Sequence, residues 1–449
     1  MSPRSARVDT GGGGRDLLAR VADSGVRHIH LQFSDVLGTV KTVTIPASGL
    51  DAALEHGVWF DGSSVEGFTR TAESDMYLVP DPATFQVLPW TAEPSARLIC
   101  WARTPEGEAY TGDPRGALRR AVDHAAGLGF EYRVGPEIEF YLLERGPDGE
   151  PRPIADDDAG YFDVTGGRAT DLRQALLAAA ARVGVEVNSA HHEIAPGQHE
   201  VDLAAADALS CADAVVTFRL ALRAVAQRAG VIASFMPKPF NDLPGSGMHV
   251  HQSLARPGGA NAFSGADDYG LSDVAKQFIA GQLHHAAGMC LVLAPLVNSY
   301  KRLVRGYEAP IFLSWARTNR GALLRVPHVS RTETARVELR SPDPSCNPYL
   351  AFAVMLRCGL DGIERRLPLP PPVEEALYGF DEIELERRNV GLLPDNLKDA
   401  VDACADDEVV RSALGENLSE RFLEAKRAEW REYRGQVTGW ERERYLERS

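Results

Sequence analysis

The sequence predicts an α+β fold in two domains, and three features of the 449-residue chain carry this prediction. Short segments that alternate polar and apolar residues with period two predict strands, and longer segments with helical apolar spacing predict helices. The two kinds of segment alternate irregularly along the chain, which is typical of the α+β class. Asp113-Pro114 predicts a helix start with Asp113 as N-cap, and it separates the predicted domains 15–113 and 114–449.

In the N-terminal domain, the elements follow one another at short intervals. The Gly-rich start, through residue 14, is expected to be disordered. A helix is predicted over 16–22, a strand over 28–33, a hairpin over 34–46 with a turn at Asp35 and Gly38, and a second helix over 50–56. Residues 59–68, WFDGSSVEGF, are predicted to form a polar loop. Such loops carry function more often than packing, although a loop of this kind that stands alone is more often a simple connector.

The C-terminal domain contains longer elements. Helices are predicted over 207–230 and 274–294, and a charged amphipathic helix over 420–432. Residues 368–372 are predicted to be a proline-rich surface connection.

Composition narrows the class of protein. Hydrophobic content of 44% and charged content of 25% are ordinary for a soluble globular protein. The net charge of -15 argues against nucleic acid or an anionic membrane as partner. Six scattered cysteines without C-x-x-C spacing fit a reducing compartment rather than a disulfide framework or a zinc site. The apolar stretches are too short to span a bilayer and the N-terminus lacks a signal-like apolar segment, so we expect a cytoplasmic protein.

Six metal-ligand candidates lie in segments that read as strands and turns: Glu137, Glu139, Glu193, Glu200, His249 and Glu338. Period two places Glu137 and Glu139 on one strand face, and it gives His249 and Glu338 polar faces of their own. Each piece alone has a simpler explanation, since a Glu pair is usually the solvent face of a sheet and a His-x-His pair is usually structural. Their joint occurrence favours a metal site, because glutamate is rarely buried unless it is paired or bound to metal.

The donor types indicate which metals. If Pro196-Gly197 centres a hairpin, Glu193 and Glu200 become cross-strand partners that can share an ion. Carboxylates with one imidazole suit Mg²⁺ or Mn²⁺ better than Zn²⁺. Five carboxylates carry about five negative charges, and two divalent ions offset about four of them. The set therefore predicts a two-metal, phosphate-handling site.

The chain resembles class I bacterial glutamine synthetase from about residue 15 to the C-terminus, in the motifs FDGSSVEGF, ESDMYLVPD, GPEIEF, AGYFD, HHEIAPGQHE, PGSGMHVHQSL, NSYKRLVRGYEAP, NRGALLRVP and RVELRSPDPSCNPYLA. The resemblance implies an N-terminal β-grasp domain and a C-terminal catalytic domain with a curved antiparallel sheet. It also implies a homo-oligomer, a dodecamer of two stacked hexameric rings. Each active site would then lie between subunits and receive the DGSS loop from the neighbour.

The resemblance also implies residue roles. One metal would be held by Glu139, Glu193 and Glu200, and the other by Glu137, His249 and Glu338. Glutamate would be bound by Arg302 and Arg340 with Gly245 nearby. ATP phosphates would meet Arg320 and Arg325, with His251 and Ser253 on the nucleotide side. The ammonium pocket would comprise Asp61, Ser64, Tyr161 and Glu308.

The implied activity is an ATP-dependent ligation of L-glutamate and ammonia that uses two or more Mg²⁺ or Mn²⁺ ions. ATP phosphorylates the glutamate side chain, while Arg320 neutralises charge on the transferring group. Asp61 and Glu308 would bind ammonium and remove its proton. For Asp61 the alternative is a turn cap, and for the arginines the alternative is surface charge.

Several positions depart from the family pattern: Asn188, Ala204-Ala205 and Pro244. These changes leave two alternatives open, a γ-glutamyl-amine ligase that accepts another primary amine and a catalytically silent relative. Two positions bear on regulation. Arg70 matches an arginine that one subclass uses in feedback inhibition, and Tyr378 falls near a tyrosine that other members adenylylate, without its acidic-proline flank.

Overall fold

The computed structural model describes residues 13–65, 75–164, 166–306, 309–328 and 334–448. Its N-terminal part contains two helices, α1 (Gly13–Ser24) and α2 (Leu50–His56). The strands of this part are β1 (His28–Ser34), β2 (Val40–Pro46), β3 (Val58–Asp61), β4 (Asp75–Pro80), β5 (Gln86–Val87) and β6 (Ser95–Arg103). They form one sheet in the order β2-β1-β6-β4-β3, with β5 on β6 and with β1 parallel to β6.

Alternating side chains build the core of this first sheet. Ile29, Leu31 and Phe33 of β1 are buried, and they belong to one apolar cluster with Leu17 and Val21 of α1. The predicted hairpin after β1 is present, since β1 and β2 pair antiparallel. Its turn is held by the Asp35 carboxylate, which accepts the Leu37 and Thr39 amides, and Gly38 takes a φ of +84°.

The second part is built on a larger sheet. Its strands are β7 (Glu131–Arg145), β8 (Pro151–Pro153), β9 (Val187–His192), β10 (Gln198–Leu203), β11 (Ala206–Asp207), β12 (Ile232–Ser234), β13 (Met248–Ala255), β14 (Phe312–Ala316), β15 (Ala322–Arg325) and β16 (Val337–Leu339). The main path runs β14-β15-β16-β13-β7-β10-β9. Its pairs are antiparallel except β14 with β15. The long strand β7 lies at the centre and positions the polar face described below.

Helices cover the apolar face and extend to the C-terminus. They are α3 (Pro114–Gly127), α4 (Gly167–Arg182), α5 (Ala208–Arg228), α6 (Asp273–His284), α7 (Ala286–Leu293), α8 (Ser299–Arg302), α9 (Pro348–Glu364), α10 (Glu382–Arg387), α11 (Leu397–Asp406), α12 (Glu408–Leu414), α13 (Glu416–Tyr433) and α14 (Gly439–Tyr445). Helix α9 is apolar nearly all round and buried, as a helix inside a core must be.

A buried ionic contact joins the two parts. Arg115, in the first turn of α3, donates hydrogen bonds to Asp81 of the first part at 2.9 Å and to Asp213 of α5 at 2.7 Å. The Trp101 ring of β6 lies 3.9 Å from the guanidinium carbon. Helix α3 starts as the sequence predicts, with the Asp113 carboxylate accepting the Arg115 amide and Pro114 in the first turn.

Most predicted elements are confirmed, with three corrections. The predicted helix 274–294 is two helices, α6 and α7, because the chain breaks at His285 (ψ 8°), whose ring bonds to Asp361 and Asp407. Residues 59–61 of the predicted loop are strand β3, because they pair with β4. Helix α1 includes Gly13 and Gly14, where disorder was expected; the rest of that expectation, residues 1–12, lies outside the described residues.

All six cysteines are buried and free, which agrees with the absence of a predicted disulfide framework. Within the described residues, none of the helices combines the length and the apolar character needed to cross a membrane.

Candidate active site

A cavity of about 820 Å³ opens on the polar face of the larger sheet. Its lining contains all six metal-ligand candidates of the sequence: Glu137, Glu139, Glu193, Glu200, His249 and Glu338. The volume falls in the range of small-molecule sites. The structure therefore brings together six side chains that the sequence separates by up to 201 positions, from 137 to 338.

Strand periodicity places most of these side chains. Glu137 and Glu139 share one face of β7, while Ile138 and Phe140 are fully buried on the other. His249 of β13 is the register partner of Glu137. Glu338 of β16 is the register partner of His251, which puts it one strand further along the same face. The predicted faces of these three strands are confirmed.

The first ligand group consists of Glu137, His249 and Glu338, whose ligand atoms lie within 4.8 Å of one another. His249 Nδ1 is 3.3 Å from Glu137 Oε2 and 3.8 Å from Glu338 Oε1. Burial on its own raises the pKa of Glu137, but hydrogen bonds with His249 and His251 outweigh it and hold that pKa far below its usual value. Burial also raises the pKa of Glu338, but the charges of Arg340 and His249 outweigh it and lower that pKa below its usual value. Both carboxylates are thus kept ionised, the form that binds a cation.

The second ligand group, called the front cluster below, consists of His191, Glu193 and Glu200, and its ligand atoms also lie within 4.8 Å. His191 Nε2 is 3.1 Å from Glu200 Oε1. Burial is the largest influence that raises the pKa of Glu200, and repulsion from Glu139 and Glu137 adds to it. The cluster holds more carboxylate than cationic charge, and a divalent ion relieves that excess. The donor set therefore fits a hard or borderline divalent metal.

The hairpin that carries the front cluster has a different register from the predicted one. The Glu193 amide donates to the Gln198 carbonyl, and Gly197 takes a φ of +70° in the turn. Glu200 therefore faces His191 across the strands, and Glu193 is not its direct partner. The prediction failed because it centred the turn on Pro196-Gly197, whereas the turn spans residues 194–197.

His191 is a site residue that the sequence reasoning missed. It is separated from Glu193 by one residue, so period two would have placed both on one face. Glu139, predicted to complete this group, lies between the two groups. Its carboxylate accepts hydrogen bonds from the Gly247 backbone amide at 3.0 Å and from the Gln198 side-chain amide at 3.2 Å. It lies 4.0 Å from His249 Nε2.

Arginines form another wall of the cavity: Arg302, Arg320, Arg325 and Arg340. Arg302 is buried and donates to the carbonyls of Ser341 and Arg340 at 3.0 Å each. Gly247 permits this arrangement, because a Cβ there would lie 2.5 Å from the Arg302 guanidinium. A Cβ on Gly245 would lie 2.6 Å from the Pro237 carbonyl oxygen. The backbone can therefore take this position beside the cavity only if residue 245 is glycine.

Arg340 and Arg325 differ in their partners. Arg340 Nε is buried and makes no hydrogen bond in the described part of the chain, although it forms an ion pair with Glu338 Oε1 at 3.7 Å. Its capacity to donate is therefore not used up by the protein. Arg325 is held by Glu338, with 2.8 Å between Nη1 and Oε2. In the predicted anion-binding wall, Arg325 is therefore hydrogen-bonded to Glu338, whereas Arg340 has an N–H that makes no hydrogen bond within the described residues.

The remaining predicted residues are placed unevenly. Tyr161 lines the cavity, and its ring meets His191 edge-on at 5.3 Å. His251 Nε2 donates to the ionised Glu137 carboxylate at 2.6 Å, while its Nδ1 accepts from Arg336. Together with Ser253 it lies on the same face of β13 but outside the cavity lining that the described residues form. Both positions remain predictions for the nucleotide side.

Asp61, unlike Tyr161 of the same predicted ammonium pocket, is absent from the cavity lining that the described residues form. Asp61 ends β3 and accepts the Ser63 amide at 2.9 Å, so it caps a short 3₁₀ turn, Gly62–Ser64. That is the alternative role that the sequence left open for it. The Ser64 side chain and all of Glu308 lie outside the described residues, as does Arg70.

A third His and Asp group, called the back cluster below, lies behind β9 and β10 and consists of Asp157, His192 and His199. Asp157 lies 2.9 Å from His199 Nε2 and 3.1 Å from His192 Nε2. Arg173 lies 3.0 Å from His199 Nδ1. Since a guanidinium only donates, Nδ1 accepts and Nε2 carries the hydrogen that Asp157 accepts. His199 Nε2 therefore has no lone pair for a metal, and His199 and Asp157 form a hydrogen-bonded pair. The third member, His192, is 2.6 Å from the Glu193 carbonyl oxygen through Nδ1, and its Nε2 makes no hydrogen bond within the described residues.

A β-grasp-like first sheet, a larger antiparallel sheet with two carboxylate–imidazole groups, and an arginine wall define a metal-dependent enzyme that handles anionic substrates. Comparison with known families gives a narrower result. Residues 25–105 match the family model "Glutamine synthetase, beta-Grasp domain", and residues 111–445 match "Glutamine synthetase, catalytic domain". The chain belongs to the glutamine synthetase family.

Relatives and solved structures agree with this assignment. Proteins named glutamine synthetase are 46% identical in Halobacterium salinarum, over 97% of this chain and 96% of the relative, and 47% identical in Mycobacterium tuberculosis, over 96% and 98%. A solved structure described as a GmaS/ADP complex has a TM-score of 0.87 and 32% identity, covering 96% of this chain and 99% of that one. The predicted fold class, family and ligase activity, ATP-dependent glutamate–ammonia ligation, are thereby confirmed. The family uses ATP and divalent metals.

Proposed function

We propose that this chain performs glutamate–ammonia ligation with the residues of the described cavity, and that its two ligand groups hold divalent ions beside the nucleotide. One observation carries this proposal. Two groups of ligands with opposite electrostatic settings, one kept ionised and the other overloaded with carboxylate, face the same cavity as Arg340, whose Nε makes no hydrogen bond within the described residues. A site that binds both cations and a carboxylate substrate needs that juxtaposition.

The reaction proceeds in two steps. The side-chain carboxylate of glutamate attacks the γ-phosphorus of ATP, the bridging P–O bond breaks, and ADP leaves. Ammonia attacks the resulting acyl carbon, the C–O bond to phosphate breaks, and glutamine and phosphate form with loss of one proton. The chain must therefore neutralise anions in the first step and exclude water before the second.

The arginine wall serves the first step. Arg340 and Arg302 border the end of the cavity where Gly245 brings the backbone close, and they suit the α-carboxylate of glutamate. Arg320 and Arg325 suit the phosphates of ATP. Glu137, His249 and Glu338 would hold one divalent ion, Mg²⁺ or Mn²⁺, and Glu193 and Glu200, with His191 and Glu139 beside them, would hold another. Such ions would supply positive charge that offsets the negative charge of the phosphates.

The second step needs an ammonium pocket. Tyr161 borders the front cluster. Burial raises the pKa of Tyr161, and the negative charges of Glu193 and Glu200 raise it further. That negative potential favours a small cation. Asp61 and Ser64 would come from a neighbouring copy and Glu308 from this chain. The need for residues from a neighbouring copy supports a closed homo-oligomer, and we propose the dodecamer of two hexameric rings. We also propose that the protein is located in the cytoplasm.

An amine panel tests the proposal. Release of ADP and phosphate is measured with glutamate and Mg²⁺ or Mn²⁺, with ammonium compared against putrescine, spermidine and ethanolamine. We expect ammonium to support the fastest turnover and the variant Glu338→Gln to lose it. Turnover with another amine alone would instead favour a γ-glutamyl-amine ligase, and no turnover with any amine would favour a catalytically silent relative.

A further inference from the structure

The connection that carries Arg320 has an unusual geometry. It covers residues 317–321 and joins β14 to β15, which pair in parallel. Parallel neighbours normally need a crossover of a dozen or more residues, because the chain must return to the start of the next strand. A five-residue return leaves no hairpin ladder for its own amides. Those amides must find acceptors elsewhere.

One carboxylate supplies several of these acceptors. Glu374 Oε1 accepts the Arg317 amide at 2.9 Å, and Oε2 accepts the Thr318 amide at 2.8 Å and its hydroxyl at 2.5 Å. The Tyr269 hydroxyl also donates to Oε1, at 2.9 Å. Glu374 therefore binds both residues at the start of the connection, and it lies 54 positions beyond Arg320 in the chain.

The segment around Glu374 holds the connection on its other side as well. The Asn319 side-chain amide donates to the carbonyls of Val373 at 3.1 Å and Glu375 at 2.7 Å. The side-chain oxygen of Asn319, Oδ1, accepts a hydrogen bond from the Gly321 backbone amide at 2.9 Å. Arg320 is thus flanked by residues that residues 373–375 hold directly.

Tyr378 packs against the end of the connection and leaves no room for a side chain at Gly321. Its hydroxyl oxygen is buried and lies 2.7 Å from the place where a Cβ on Gly321 would stand. Tyr378, which falls near the tyrosine that other family members adenylylate, is therefore packed against the connection here.

Charge reinforces the contact. Partial burial by itself raises the pKa of Glu374, but the hydrogen bonds from Thr318 and Arg317 outweigh it and lower the pKa to about 2. The carboxylate is therefore ionised at neutral pH, and each bond is a charge-assisted one. Arg317 adds a stacking contact, with its guanidinium carbon 4.6 Å from the centre of the Tyr269 ring.

We propose that Glu374 is a positioning residue that fixes the 317–321 connection and thereby aims Arg320 into the cavity. The inference rests on the proposed function, because Arg320 is the residue through which Glu374 acts. Glu374 itself is absent from the cavity lining that the described residues form. The contact acts on the phosphoryl-transfer step, since glutamate and the metal groups are held by other strands.

The test compares neighbouring glutamates in the full-length protein. Glu374→Gln removes the charge and turns one acceptor into a donor that faces N–H groups. Glu375→Gln is the matched control, because its carboxylate contacts Arg388, at 2.6 Å, and not the connection. We expect kcat of ADP release to fall by about 10- to 100-fold in Glu374→Gln, since small misplacements cost that much. The KM for glutamate and the affinity for Mn²⁺ should be unchanged, and Glu375→Gln should match the wild type.

Hydrogen exchange provides a second readout that does not depend on turnover. The amides of residues 317 and 318 should exchange faster in Glu374→Gln than in either reference protein. Tyr269→Phe keeps the ring and removes one bond to Glu374, so it should show a smaller change in the same direction even if Glu374→Gln folds poorly. Unaltered exchange in both variants would overturn the proposal.

The outcomes separate the two claims. If Arg320→Ala keeps full turnover, the role of Arg320 in the proposed function fails, and the positioning role fails with it. If Arg320→Ala loses turnover while Glu374→Gln keeps it, only the positioning role fails. A Glu374→Gln variant that also loses affinity for glutamate and Mn²⁺ would show a general structural role and would equally refute the inference.

Discussion

Strands β9 and β10 carry two groups of similar composition on opposite faces. The front cluster is His191, Glu193 and Glu200, and the back cluster is Asp157, His192 and His199. Both have ligand atoms within 4.8 Å of one another. They differ in charge and in hydrogen bonding, because the front cluster opens onto the cavity while the back cluster is buried behind it.

The difference shows that residue types alone do not define a metal site. In the front cluster two carboxylates share one imidazole, and Glu139 and Glu137 repel Glu200 in addition. Burial lowers the pKa of His191, but its hydrogen bond with Glu200 outweighs this and raises that pKa to about 9, so the one imidazole can offset only one of the carboxylates.

In the back cluster one carboxylate serves two imidazoles, and Arg173 fixes the tautomer of His199. The largest influence on the pKa of Asp157 is burial, which raises it, but the hydrogen bond from His199 outweighs it and lowers it. The front cluster holds an excess of carboxylate that an added cation would offset, whereas in the back cluster one oxygen of Asp157 already accepts the proton of His199 Nε2. Within the described residues, the other oxygen, Oδ1, and His192 Nε2 are buried without a hydrogen bond.

The largest expected effect comes from breaking the front cluster. Glu200→Gln removes a carboxylate that faces the cavity, and we expect turnover to fall by about 100-fold or more, because changes even beyond the direct ligands cost 10- to 100-fold. The metal-free protein should be no less stable, since repulsion from Glu139 and Glu137 is relieved. Turnover, Mn²⁺ binding and thermal unfolding in a chelator measure these effects.

The exposed Glu186, which immediately precedes β9, supplies the control for that experiment. Glu186→Gln should leave turnover and Mn²⁺ binding unchanged. Full activity in Glu200→Gln, or a clear loss of stability in its metal-free form, would remove the distinction between the two clusters.

The back cluster should respond in the opposite way. Asp157→Ala leaves the buried Nε2–H of His199 without its acceptor, and an unsatisfied buried donor costs about 1–3 kcal/mol of unfolding free energy. The number of Mn²⁺ ions bound per chain should not change. Denaturant unfolding and Mn²⁺ titration measure the two quantities.

Asp158→Ala is the matched control, because Asp158 is the exposed neighbour of Asp157. It should unfold as the wild type does. Loss of one bound metal ion in Asp157→Ala would show that the back cluster is itself a metal site.

The comparison also marks what the sequence could predict. Period two placed Glu137, Glu139 and His249 on the correct faces, because strand alternation is a local property of the chain. The hairpin register was different, since it depends on where the turn begins, and this error hid His191. The break at His285 could not be foreseen, because its partners Asp361 and Asp407 lie 76 and 122 positions away.

The charge and protonation of each cluster also depend on residues that are distant from it in the sequence. Arg173 decides the tautomer of His199 from helix α4, and Glu139 reaches the front cluster from β7. The sequence names the residue types, but the cross-strand register and the helix packing decide which of them share a proton. The inventory of metal ligands was therefore more predictable than the separation into an open and a closed cluster.

The smallest effect that sharpens the comparison concerns His285, a second histidine flanked by carboxylates away from the cavity. Its Nδ1 donates to Asp407 at 2.8 Å and its Nε2 to Asp361 at 3.0 Å. Burial alone lowers the pKa of His285, but these bonds outweigh it and raise the pKa above its usual 6.5. The same bond lowers the pKa of Asp407 below its usual 3.8, although burial opposes this.

The sign of the pH dependence follows. A raised histidine pKa contributes stability that is complete below pH 6.5 and is lost as the pH rises through the folded-state value. A lowered Asp407 pKa contributes stability that is lost only as the pH falls below 3.8. His285→Gln should therefore lower the unfolding free energy by about 1 kcal/mol near pH 6, the net value of a hydrogen bond, and by less near pH 9.

Thermal unfolding of both proteins across that range measures the difference, with His284→Gln as the control, because His284 is exposed and lies next to His285. A deficit that stays constant with pH would mean that the ring contributes packing rather than charge. His285 would then resemble neither cluster on β9 and β10. A deficit that shrinks as the pH rises would show that a doubly protonated ring holds both carboxylates, in contrast to His199 of the back cluster, whose Nδ1 accepts from Arg173.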